Sequence, residues 1–309
     1  MSQMQQPAEQ LLANSPIQAC HFHGHKVFIK RDDLLHAQFS GNKARKFAYF
    51  LAHDFPNVKT LVGYGSVQAN SLYSLAALAK LKGWQLNFYS KPIPHWLKAQ
   101  PTGNYSAALK LGAKIIEVKE LTSNLEAYVQ SLDFDRNHLS VPEGGRCQEA
   151  AFGVKQLANE LIQQCQELEL NNPVFMLPAG TGTTALYLQK YLPFQVMTCA
   201  CVGTPDYLKQ QFNELDTNST HWPTILPSRK KYHFGKLYAE FYQIWQQLKA
   251  QTGIEFELLY DPLGWLCLLD FLKARKSNQD IIYIHQGGLV GNQSMLPRYQ
   301  LKYPQESAK

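Results

Sequence analysis

Short β-rich runs alternate with helical patterns along most of this chain, and that alternation limits its architecture more than any other feature. Extended runs stand at 26–31 (KVFIKR), 60–65 (TLVGYG), 85–90 (QLNFYS), 114–118 (KIIEV), 173–180 (PVFMLPAG), 195–203 (QVMTCACVG) and 281–288 (IIYIHQGG). Helical patterns over about 42–53, 69–82 and 104–112 separate the earlier ones. Strands separated by helices pair in parallel, because a parallel partner requires a crossover connection. The pattern predicts an α/β protein with two open, twisted, mainly parallel sheets flanked by helices.

A chain of 309 residues, 45% hydrophobic and 17% charged, buries a large core, which at this length divides between two lobes. Boundaries are expected near HDFPNV at 53–58 and near the Gly-rich VPEGGRCQEAAFG at 141–153. The larger domain is then residues 1–54 with 153–309 and the smaller is 55–152, so the chain leaves one lobe and re-enters it. Ligands of open parallel sheets bind beyond the carboxyl ends of the strands. The strand-end motifs GYGSVQAN, PEGG, PAGTGTT and HQGG should therefore meet in a cleft between the lobes.

Several function classes are disfavoured. The net charge of +6 comes from 30 basic and 24 acidic residues, and the densest basic stretch, SRKKYHFGK at 228–236, reads as a solvated loop rather than a nucleic-acid patch. The first twenty residues lack the basic start and apolar stretch of a secretory signal, and no apolar run is long enough to span a bilayer, so a cytoplasmic location away from membranes is expected. Six cysteines without C-x-x-C spacing suit reduced, buried thiols. CHFHGHK at 20–26 has metal-like spacing, but His21 and His23 would share one strand face before a Gly24 turn with no carboxylate cluster, and no metal is expected.

PAGTGTTALYL at 178–188 follows the apolar run VFML and opens a helical pattern. Gly180 and Gly182 permit close backbone approach, Thr181, Thr183 and Thr184 add hydroxyls, and the helix start offers unpaired N–H groups and positive dipole. A plain strand-to-helix turn with threonine caps is the alternative. Neither a G-x-x-x-x-G-K-[ST] loop nor a full dinucleotide fingerprint is present, so a single phosphate monoester fits better than a nucleotide. KRDDLLHAQFSGNKARKFAYFL at 30–51 places Lys43 directly after a Ser-Gly-Asn turn, and Asn70 follows a second strand end. A lysine for a Schiff base, an amide for a ring contact and a phosphate cup are together what pyridoxal 5′-phosphate needs.

These segments resemble the pyridoxal-phosphate-dependent family of 1-aminocyclopropane-1-carboxylate deaminase and D-cysteine desulfhydrase, of the tryptophan synthase β-like fold (fold type II). KRDDL…SGNKARKFAYFL is similar to that family's K-R-D-D-L…G-G-N-K-x-R-K-L-E-x-L, GSVQAN to its G-x-Q-S-N, and PEGG, GTGTT, DPLGW and HQGG follow in the expected order between about residues 15 and 295. The resemblance implies that Lys43 carries the cofactor, that Asn70 contacts its ring oxygen and that Gly180, Thr181, Gly182, Thr183 and Thr184 hold its phosphate. It also implies a homodimer. Lys46 or Arg45 would then be the neighbouring cation that, with burial, lowers the pKa of Lys43.

The chain departs from the family pattern at three places. Ala69 stands between Gln68 and Asn70, where the family has the serine that meets the substrate carboxylate. Gly264, followed by Trp265, occupies the place of a substrate-side tyrosine. Gln286 replaces a threonine against the pyridine nitrogen, and its NH₂ can donate to an unprotonated ring. Gln68, Ala69 and Trp265 are the expected substrate-side residues. The resemblance thus implies a lyase or deaminase of a small amino acid, first of all D-cysteine desulfhydrase-type β-elimination to pyruvate, ammonia and sulfide. The alternatives are 1-aminocyclopropane-1-carboxylate deamination and a catalytically weakened pyridoxal-phosphate-binding protein acting as cofactor reservoir or amino-acid sensor.

Overall fold

The computed structural model describes residues 12–120, 124–219, 221–275 and 279–304. The opening segment considered for a secretory signal lies, up to residue 11, outside them. The described strands are β1 (Ile17–Phe22), β2 (His25–Lys30), β3 (Thr60–Tyr64), β4 (Gln85–Ser90), β5 (Lys114–Glu117), β6 (His138–Ser140), β7 (Val174–Ala179), β8 (Val196–Ala200), β9 (Thr224–Ile225) and β10 (Ile281–Ile284). They form a six-stranded sheet in the order β1-β2-β10-β7-β8-β9 and a four-stranded sheet in the order β5-β4-β3-β6. Among the described residues all pairings are parallel except β1 with β2. The expected mainly parallel α/β architecture is observed.

Continuous apolar runs mark strands covered on both faces. β7 and β10 are buried at every position, and separate apolar clusters fill the two sides of their sheet. On one side pack helices Ala239–Thr252 and Asp261–Ala274, and on the other Ala150–Glu167 and Thr183–Tyr191. The Gly41–Ala52 helix turns Ala44, Phe47, Phe50 and Leu51 toward a third cluster, shared with the Asn70–Lys82 helix and the four-stranded sheet. This helix is therefore packed between the two sheets. β6 and β9, only three and two residues long, are too short to show a period of two and carry no sequence signal.

The CHFHGHK stretch forms the β1–β2 hairpin, with His23 (φ 48) and Gly24 (φ 79) as its turn. His23 leaves the strand, and its ring bonds Gln247 at 2.9 Å. Among the described residues no helix is long and apolar enough to cross a membrane.

Candidate active site

A cavity of about 370 Å³ opens where β3, β7 and β10 end, and it gathers residues from all four strand-end motifs. Lys43, Ala69, Asn70, Gly180 to Thr184 and Gln286 all line it. Two of the sequence-derived candidates are not brought there. Gln68 is not among the lining residues. Trp265 is fully buried in the core behind the site, stacked on Tyr283 at 4.4 Å and packed edge-on against Phe22 and Phe256. It follows from its place on the Asp261–Ala274 helix, whose apolar side chains are drawn into the larger core.

Lys43 is presented by backbone geometry that only glycine permits. Gly41 has φ 67, and a Cβ there would run into the Gln286 carbonyl. The same carbonyl accepts the Asn42 N–H at 3.1 Å, while Asn42 Nδ2 donates to Gln286 Oε1 at 2.9 Å and Gln286 Nε2 donates to the Pro178 carbonyl at 2.7 Å. Gln286 thus fastens the lysine-bearing helix start to the ends of β7 and β10. One of its side-chain N–H groups is used in doing so, which leaves one for the ring nitrogen expected from sequence.

The Lys43 amine lies 3.4 Å from Asn42 Oδ1. Burial pulls its pKa down to about 8, against the opposing influence of Glu257, a hydrogen bond with Lys46 and Glu143. Lys46 is buried and donates to the Gly144 carbonyl. Burial and the neighbouring Lys43 push the Lys46 amine well below its ordinary range. Arg45 is not part of this arrangement. It points the opposite way, pairing with Asp32 at 2.8 Å and Glu160 at 2.6 Å in the core, so Lys46 is the basic side chain beside Lys43, and burial rather than a neighbouring cation lowers the Lys43 amine. A lysine of ordinary pKa gains neutral amine up to about pH 10. For Lys43 the rate of reaction with an added carbonyl compound should instead rise about tenfold per pH unit below about 8 and level off above it. Stopped-flow absorbance checks this, and a rise continuing past pH 9 would contradict the depressed amine.

Asn70 is the first residue of its helix, and the Ala69 position before it provides no side-chain cap. Its Oδ1 accepts from Asn104 Nδ2 at 2.8 Å, which turns Nδ2 of Asn70 into the free donor. The cup itself is built as expected. β7 ends at Ala179, Gly182 (φ 75) caps the Thr183–Tyr191 helix, and a Cβ on Gly182 would strike Phe212 and Leu208. Thr181 and Thr183 hydroxyls bond each other at 3.0 Å. Thr184 Oγ1 is buried with no partner, although it belongs to a cavity-lining residue. A buried hydroxyl without a partner costs about 1–3 kcal/mol. An oxyanion bound at this helix start would satisfy it, so the residues present fit a phosphate monoester.

Sequence reasoning missed Glu257, Tyr260 and Arg146, which also line the cavity, and placed Glu143 only as part of PEGG, without a role. Glu257 is buried, accepts the N–H groups of Leu259 and Tyr260 at 2.8 and 2.7 Å, and has its carboxyl pushed up to about 8 by burial and by Asp261. The Tyr260 ring lies against Gly180, where an added Cβ would sit 3.2 Å from it. The segment YDPLGW held the signal for this aromatic, one residue before the DPLGW motif. At Gly264 an added Cβ would be 2.6 Å from the Tyr283 hydroxyl, so this helix position has no room for a side chain.

No family model matches the chain. In sequence it is similar to a Pyrococcus furiosus protein provisionally named 1-aminocyclopropane-1-carboxylate deaminase, 22% identical over 288 residues that cover 87% of this chain and 86% of that protein. It is also similar to D-cysteine desulfhydrase of Salmonella typhi, 28% identical over 170 residues, 52% of each chain. Among solved structures, an ACC deaminase homologue superposes with a TM-score of 0.77 at 21% identity, over 96% of this chain and 99% of that one. A threonine deaminase gives 0.65 at 15% identity, over 89% of this chain and 92% of that one. The chain has the fold of these two structures, and the relatives bear the two enzyme names of the family that its motifs resemble.

Proposed function

We propose that this protein is a pyridoxal-phosphate-dependent enzyme that removes the β-substituent of a small amino acid, D-cysteine foremost, releasing pyruvate, ammonia and sulfide. The observation that carries the reading is one cavity holding a lysine amine whose pKa is brought down to about 8 together with a glycine- and threonine-built cup that leaves a buried hydroxyl unpaired. Pyridoxal phosphate, when bound, supplies a carbonyl carbon for the lysine and an electron sink for charge developing at the substrate α-carbon. Lys43 anchors it and, once free, takes the α-proton; an amine of this pKa is half unprotonated at about pH 8. Asn70 Nδ2 orients the ring oxygen, the Gly180 to Thr184 turn holds the phosphate, and Gln286 keeps Asn42 and hence Lys43 in register. Residues around the four-stranded sheet form the smaller lobe in this reading, and two copies assemble as a homodimer.

Ala69 lines the cavity without a hydroxyl for the substrate carboxylate, and Gly264 leaves no space for a substrate-side tyrosine. Thiolate departs readily once the α-proton is removed, whereas opening a cyclopropane needs assistance at carbon. Losing one hydroxyl contact costs about 1–3 kcal/mol, enough to slow both reactions but to stop only the harder one. Pyruvate and sulfide from D-cysteine should therefore exceed α-ketobutyrate from 1-aminocyclopropane-1-carboxylate by about 10-fold or more at equal concentration. The reverse order would sink the preference for elimination. Absence of both reactions with the cofactor bound would favour the reservoir or sensor reading, which the missing donor at Ala69 supports.

A further inference from the structure

We infer that a second cavity is the port through which water reaches the Lys43 amine while the first cavity is filled. This rests on the pyridoxal-phosphate reading above. Once cofactor and substrate fill the first cavity, its water is displaced. A lysine that has taken the α-proton as a new N–H must still hand that proton to an acceptor before its amine can act again. The acceptor is then a water molecule on a different side of the lysine. A second cavity of about 130 Å³ has Lys43 in its wall, together with Ser40, Tyr73, Ser74, Asn104 and Gly288.

Asn42, Lys43, Asn70 and Gln286 line both cavities, so the partition is three amides and an amine rather than packed apolar side chains. The amides are fixed in place. Asn42 Nδ2 donates to Gln286 Oε1 at 2.9 Å, and Asn70 Oδ1 accepts at 2.8 Å from Asn104, which lines the second cavity alone. Gly288 keeps the partition thin, since a Cβ added there would lie 2.5 Å from Asn70 Nδ2. The Lys43 amine stands at this partition, 3.4 Å from Asn42 Oδ1. No residue of the Gly180 to Thr184 turn lines the second cavity, so an anion in the cup leaves it open. Its surface suits water. The Ser40 hydroxyl caps no helix N–H, and the Tyr73 and Ser74 hydroxyls have no partner among the described residues. One water needs about 10–15 Å³ and two to four polar contacts, so this cavity has room for several. Ala37 and Gln38 on its rim are exposed, which joins it to bulk solvent.

The test needs no turnover. 4′-Deoxypyridoxine 5′-phosphate has the cofactor's ring and phosphate but no carbonyl, so it fills the first cavity without consuming the lysine. Cyanate then reports access, because isocyanic acid, small and neutral, adds to a neutral amine to give a urea with no leaving group. Peptide mass mapping follows the carbamylated Lys43. In unmutated protein saturated with the deoxy compound, Lys43 should be carbamylated within about threefold of the ligand-free rate. Ser74→Phe, which places a ring in the second cavity, should slow the saturated protein about 10-fold or more and the ligand-free protein much less, since close packing shuts one route and leaves the other. Val290→Trp, at the half-buried rim, gives the same comparison should Ser74→Phe fail to fold. Protection of Lys43 by about 10-fold or more in the saturated, unmutated protein would overturn the inference. So would a saturated rate that neither variant alters. Unmutated protein that binds neither the deoxy compound nor pyridoxal phosphate would instead overturn the functional reading, and this inference with it.

Discussion

Lys43→Ala is expected to yield a folded protein that forms no covalent link with pyridoxal phosphate and whose pyruvate release falls by about 10²- to 10⁴-fold or more, the range set by losing a positioned proton-transfer group alone. The fold should survive because the half-buried side chain makes a long contact with Asn42 and a hydrogen bond with Lys46, and carries an amine that burial already disfavours in its charged form. Lys46 provides the control. It lies one helical turn away in the same cavity, yet its amine is held by the Gly144 carbonyl and it is buried. Borohydride reduction of the loaded, unmutated protein followed by peptide mapping should therefore place the label on Lys43. A label on Lys46, or a Lys43→Ala protein that retains full turnover, would remove the assignment of the reactive amine.

Arg45→Met is expected to destabilise the chain by about 3–5 kcal/mol, the usual cost of breaking a buried ion pair from one side. Arg45 and Asp32 are almost wholly buried; Arg45 binds Asp32 through two nitrogens and Glu160 through two more contacts, and Lys30 reaches Glu160 at 3.0 Å. Burial alone would raise the Asp32 carboxyl, but Arg45, Lys30 and the Ser15 hydroxyl together hold it below the usual carboxylate range. In the unmutated chain the stability that Asp32 contributes is therefore present above the unfolded pKa of about 3.9 and is lost as the pH falls through the lower folded value. Without Arg45 the carboxyl is left with desolvation as its chief influence and its pKa rises. The deficit of Arg45→Met should then be greatest near neutrality and shrink on acidification toward pH 5. Urea unfolding midpoints at the two pH values measure this, and an equal deficit at both would show that Asp32 is not the group left unpaired. Because this network ties the Gly41–Ala52 helix to β2 and to the Ala150–Glu167 helix, its loss should also loosen the presentation of Lys43.

Much of the site was legible because its parts are local. The turn that carries Lys43 and the cup from Gly180 to Thr184 are each a strand end or turn followed by a helix start. In such units residue type, chain direction and positive φ at glycine are coupled over a few residues. Asn70 was placed for the same reason, although its hydrogen bond to Asn104, 34 residues away, was not visible. The substrate side was less legible. DPLGW identified the segment but not its rotation, since a helix buried on nearly every side has no polar stripe to orient it. Packing alone turned Trp265 to the core, left Gly264 under Tyr283, and brought Tyr260 from just outside the motif to the cavity.

By itself the sequence determined the α/β alternation, the parallel pairing it requires, and the two local devices that hold an amine and an anion. Those follow from backbone hydrogen bonding and from steric limits on φ, which act between near neighbours. Only the tertiary structure decided how the devices face each other. Gln286 reaches 244 residues back to Asn42 and also to Pro178, and Lys46 rather than Arg45 stands beside the reactive amine. Which of two adjacent cations turns inward depends on where their partners lie in space. Arg45 found Asp32 and Glu160, whereas Lys46 found the Gly144 carbonyl and Lys43 at the cavity wall, and the low pKa of Lys43 follows from burial at that wall.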